Sequence, residues 1–156
     1  MDISTAALIA EIIGAISLVI SLIYLAMQVR AQNSEARIAA MHDIFVGYRE
    51  SLADFADPVS AILFDKSLED YDSLTRVESI RLIAIIGRCF RVWEEAFMQH
   101  QASRLNERMW QSMLRQFQGY MATAPFQKTW ELRRDYFDPE FAAFVKGLEK
   151  TDYRFQ

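Results

Sequence analysis

The chain has 156 residues, room for one domain of ordinary size that forms its core without metal or disulfide staples. It is 52% hydrophobic, with 11 Phe, 6 Tyr and 3 Trp, which excludes a disordered polypeptide. The formal net charge of −4 argues against a nucleic-acid binder, which needs a basic surface to meet phosphates.

The run Ile12–Met27, IIGAISLVISLIYLAM, contains no charged residue. Extended to Val29 it is about 18 residues, or roughly 27 Å of helix, enough to cross a hydrocarbon core with slight thinning. A cleaved signal peptide wants a basic start, whereas this chain begins Met1-Asp2 and has no Lys or Arg before Arg30. The other alternative is a buried helix of a soluble protein. The expectation is a transmembrane anchor over residues 1–29. Arg30 and Arg37 follow the run, so the positive-inside rule puts the N-terminus outside and the C-terminal domain in the cytoplasm, in the inner membrane. Tyr24 lies near the cytoplasmic end, where a ring with a polar tip suits the interface.

Within the run, Glu11, Gly14, Leu18, Ser21, Leu25 and Gln28 fall on one heptad-spaced stripe, flanked by Ala10 and Ser17. Small residues let helices approach closely and polar ones bond across a helix pair, so Glu11, Gly14, Ser17, Ser21 and Gln28 are candidates for association between membrane helices. The competing reading has Glu11 reaching the outer headgroups and the serines bonding back to their own helix. A ring of Glu11 carboxylates lining an ion path is a further alternative.

Residues 30–150 read as a helical bundle and 151–156 as a loose tail to which Tyr153 and Phe155 could add docking rings. No Gly or Pro interrupts the chain between Val29 and Gly47, so the first helix is expected to run on to Asp57-Pro58. Its apolar positions there are Ile38, Met41, Phe45, Tyr48, Leu52 and Phe55, a heptad series. Asp57-Pro58 is an N-cap followed by proline at the first helical position, opening a short helix through about Phe64. Asp65–Ser73, with Asp65, Glu69, Asp70 and Asp72, reads as an exposed loop without a calcium-loop pattern. Thr75 and Glu78 form a capping box opening a helix from about Arg76 to Gln101. Ile83, Ile86, Phe90, Trp93 and Phe97 are its inner stripe; Arg81, Arg88, Arg91 and Glu95 are its wet one, with Arg91 and Glu95 able to pair. Three shorter helices follow, around Trp110–Met121, from Pro125, and from the Asp138-Pro139 cap. No segment alternates as a strand does, and the fold class expected is all-α.

Chemistry-bearing constellations are scarce. His42 and His100 are not at ligand spacing, and a metal site built from Glu94, His100 and His42 is not demanded by any pattern. No nucleophile elbow, Cys-with-His signature or phosphate-binding glycine loop occurs. Cys89, the single cysteine, lies in an apolar helix and reads as a buried, inert thiol. Glu94, beside Trp93, is expected to be partly buried and bridged to an arginine of another helix, Arg133 or Arg115. No cofactor is implied.

Ser21 with Leu22–Arg30, SLIYLAMQVR, and Glu11-Ile12-Ile13-Gly14 upstream resemble a widespread group of small bacterial proteins without an assigned activity. These have one N-terminal span ending in a similar SLIYLA-x-Q-[IV]-R run, then a helical domain of about this length. The match extends to Arg30; beyond it the likeness is one of pattern, including Phe141–Val145. The resemblance implies a membrane anchor and adds no catalytic residue. The expectation is a non-enzymatic, membrane-anchored scaffold or accessory subunit in contact with lipid and with a second copy or a partner membrane protein. Two rivals are a homo-oligomeric ion channel or sensor using the Glu11 stripe, and a ligand-binding or enzymatic bundle.

Overall fold

A computed structural model describes residues 3–153, the side chains of Thr5, Ala6 and Ala10 excepted. The described residues are helical with no strand. In chain order the helices are α1 (Ile3–Ala56), α2 (Pro58–Glu69), α3 (Arg76–Gln101), α4 (Glu107–Met121), α5 (Ala124–Arg133) and α6 (Pro139–Lys146). Short 3-10 turns occupy Tyr71–Ser73 and Arg134–Tyr136. The chain divides into two compact units, Met1–Ala39 and Ala40–Gln156.

In the first unit every described side chain is exposed. An 18-residue window of α1 there has a mean hydropathy of 2.4 and none of it is buried, so this helix is long and apolar enough to cross a membrane.

The second unit is built on local signals that are plain in the sequence. Asp57 accepts from Ser60 N at 2.9 Å with Pro58 at the start of α2, and α1 stops at Ala56 as the proline requires. Thr75 and Glu78 close the expected capping box, Glu78 Oε2 accepting from Thr75 N at 2.7 Å. Asn106 and Asp138 cap α4 and α6 through their side chains. Pro125 falls in the first turn of α5 without a side-chain cap.

Three expectations are corrected. First, α2 does not stop near Phe64, and Asp65–Ser73 is not a loop: the helix continues to Glu69 and a 3-10 turn follows. Its second half has work on both sides, since Ser67 is fully buried with its hydroxyl donating to Phe64 O at 2.6 Å, and Lys66 reaches Glu78 of α3 at 2.9 Å. The acids Asp65 and Glu69 occupy the exposed side. Second, Phe45 and Leu52 do not belong to the buried face of α1: they remain 48% and 38% exposed. Ile44 and Ser51 are buried instead, with Met41, Tyr48 and Phe55 partly so. The seam runs where residues are small, because a Cβ on Gly47 would meet Val92 Cγ2 of α3 at 3.2 Å. Ser51 tolerates burial because its hydroxyl donates to Tyr48 O at 2.8 Å. Third, the tail is not loose as far as Tyr153, whose ring stacks on Tyr120 at 4.8 Å beside Gly119. Phe155 lies outside the described residues.

The core is aromatic. Phe90 and Trp93 of α3 meet Phe117 of α4 and Phe126 of α5, Phe90 also meets Trp130 of α5, and Phe141 of α6 packs on Phe117 and Trp130. Trp93 stacks on Phe117 at 4.1 Å, and Phe90, Phe117, Phe126 and Phe141 are all but inaccessible. Offset and edge-on ring pairs of this kind each add about 0.5–1.5 kcal/mol beyond the burial of their area.

Candidate functional site

The stripe singled out in the sequence lies wholly in the first unit. Glu11, Gly14, Ser17, Ser21 and Gln28 are exposed, as are Leu18 and Leu25 between them; Ala10 lies outside the described side chains. A Cβ added to Gly14 would meet nothing within 4 Å, so its lack of a side chain serves no packing inside the chain. Ser21 Oγ donates to Ser17 O at 2.8 Å, the back-bond to its own helix. That bond satisfies the Ser21 hydroxyl within a single chain and removes the need for an interhelical acceptor.

The candidates in the second unit have structural partners. Glu94, whose side chain is 12% exposed, does not pair with Arg133 or Arg115. Its Oε2 accepts from Arg91 at 2.7 Å and its Oε1 accepts from the backbone N–H of Asp138 at 2.7 Å. Arg91 also donates to Tyr136 O at 2.9 Å and lies 4.2 Å over the Phe137 ring. The expected Arg91–Glu95 pair is thus replaced by an i,i+3 pair, because Glu94 faces inward and can hold the entry to α6 at the same time. This clasp between positions 94 and 138 was not anticipated; no spacing rule joins residues so distant, and only folding brings them together.

His100 Nε2 lies 2.9 Å from Glu107 and its ring stacks on Trp110 at 4.6 Å, while His42 is exposed. Among the described residues no three His, Cys, Asp or Glu side chains are grouped to hold a metal ion. Cys89 is buried, and burial pushes its thiol up to about 12, keeping it protonated and unreactive. Burial likewise raises Tyr48 to about 12, with the nearby Tyr120 and Cys89 adding to the shift.

What the described residues define is an all-α protein with a helix long and apolar enough to cross a membrane and an aromatic-cored helical bundle. The chain matches no protein family, no curated protein and no solved structure.

Proposed function

We propose that the protein is a non-enzymatic, membrane-anchored interaction protein, acting as an oligomeric scaffold or as an accessory subunit of a membrane complex. The observation that carries this reading is the exposure of every large apolar side chain from Ile12 to Val29, each at least 47% accessible. Leaving such side chains in water rather than burying them costs about 1.5–3 kcal/mol each, so lipid or another helix must cover them. The SLIYLAMQVR resemblance supports the same anchor. With Arg30 and Arg37 after the run and no basic residue before it, the N-terminus is outside and the domain is in the cytoplasm.

Association runs along Glu11, Gly14, Ser17, Ser21 and Gln28, with Gly14 as the point of closest approach. The bundle has Glu94 and His100 tied into structural contacts, which favours a binding role over catalysis.

The first test is membrane fractionation with alkaline carbonate extraction. Retention in the pellet is expected, and release as a soluble protein would overturn the anchor. Native mass spectrometry in nanodiscs then reads the assembly. A discrete homo-oligomer that dissociates in Gly14→Ile makes the stripe a self-association face. A monomer, or a defined complex with another protein, assigns it to a foreign helix, and assembly unchanged in Gly14→Ile removes it from the interface.

A further inference from the structure

The second unit carries an open groove of about 550 Å³ between the Ala40–Ala56 part of α1 and helix α4. Its size falls in the range of small-molecule sites, about 300–1,000 Å³. Met41, Phe45 and Tyr48 form one wall, and Met109 and Met113 the other. On α1 these residues follow one face over roughly two turns, about 10 Å of rise, and on α4 over about one turn, about 6 Å, so the walls make a short trough rather than a round pocket. Thioethers are flexible and polarisable, and they mould to a chain without fixed shape. Phe45 in this wall is the ring that the helix seam leaves 48% exposed.

Charge decides what end of a ligand the rim accepts. Arg108 is the one charged residue in the lining, and the remaining polar groups, Asn106, Ser112 and Gln116, are neutral. Arg108 makes no ion pair among the described residues. Its sequence neighbour Glu107 is engaged elsewhere, with His100 at 2.9 Å and Gln111 at 2.8 Å. An exposed guanidinium beside an apolar trough that contains no carboxylate complements an apolar body with an anionic head.

We infer that this groove binds a single-chain anionic amphiphile, a long-chain carboxylate or its close chemical kin. The hydrocarbon lies along the Met41–Tyr48 and Met109–Met113 rows, and the head sits at Arg108. The inference stands independently of the membrane anchor.

The test uses the full chain in phosphatidylcholine nanodiscs with a diazirine-bearing long-chain fatty acid, compared with the matching fatty alcohol, and adducts mapped by mass spectrometry. Acid-probe adducts are expected on the peptides holding Met41–Tyr48 and Met109–Gln116. Arg108→Glu should lower them about five-fold, the ratio a surface ion pair supports, while leaving the weaker alcohol labelling unchanged. Phe45→Asp, at an exposed position, should lower labelling by both probes with the near-ultraviolet circular dichroism of the aromatic core intact. Adducts confined to Ile12–Val29 would overturn the groove and support the anchor. Groove labelling equal for both probes and indifferent to Arg108→Glu would overturn the anionic ligand. Groove labelling with Ile12–Val29 bare would support the groove and count against the anchor.

Discussion

Ile16 and Ile86 are the same residue in helices of the same kind, yet Ile16 is 55% exposed and Ile86 is wholly buried. The difference lies in the pattern around them. Ile86 stands on an amphipathic face whose opposite side carries Arg81, Arg88 and Arg91, so one orientation against the other helices is favoured. Ile16 stands in an uncharged run of mean hydropathy 2.4, which has no charged side to turn towards water. On the proposed membrane anchor the two regions answer to different solvents, and substitutions should separate them.

Phe90→Ala should have the largest effect. Phe90 touches five other rings, and its truncation should cost about 3–5 kcal/mol, read as a lower urea midpoint by tryptophan fluorescence. Leu22→Ala should leave that midpoint in place, and a shift of similar size would dissolve the distinction between the regions. Ile20→Arg should do the reverse: about 2.5–3.5 kcal/mol against insertion, seen as loss from the membrane pellet, with the midpoint of the bundle unchanged.

Glu94→Ala leaves the Asp138 N–H and the Arg91 guanidinium without their shared acceptor, and should lower stability by about 1.5–3 kcal/mol in the same unfolding assay. Thr75→Ala removes the cap of α3 and should cost about 1 kcal/mol. Its partner Glu78 adds a pH dependence. Its carboxyl is held down to about 2, first by the Lys66 ammonium and then by the Thr75 backbone and hydroxyl. A depressed carboxyl stabilises the fold fully above its ordinary value and loses that contribution as pH falls through 4.5 towards about 2. Melts across that window should fall more steeply for the wild type than for Glu78→Gln, and parallel curves would remove the link. The smallest effect is none at all: at pH 8 Cys89 should resist iodoacetamide until urea unfolds the bundle, whereas prompt labelling would mean an open core.

Much of the bundle was legible because its boundaries are written in short-range chemistry. The Thr75/Glu78 box marks α3, Asp57-Pro58 both ends α1 and opens α2, and Asp138-Pro139 opens α6, each needing only neighbours within three or four residues. The candidate stripe was legible as a spacing, but a spacing does not say what covers it. Met41, Tyr48 and Phe55 suit two heptad readings of α1 equally. Phe45 and Leu52 complete the series of apolar residues, whereas the fold buries Ile44 and Ser51.

By itself, then, the sequence determined the all-α class, the long uncharged apolar run, and most helix starts, since all three depend on local composition, on periodicity and on hydrogen bonds closed within one turn. Tertiary structure alone decided the buried face of α1, the continuation of α2 to Glu69 and the partners of Glu94. Each depends on where another helix lies: Val92 pressed against Gly47, Glu78 within reach of Lys66, and the Asp138 N–H brought to a carboxylate far back along the chain.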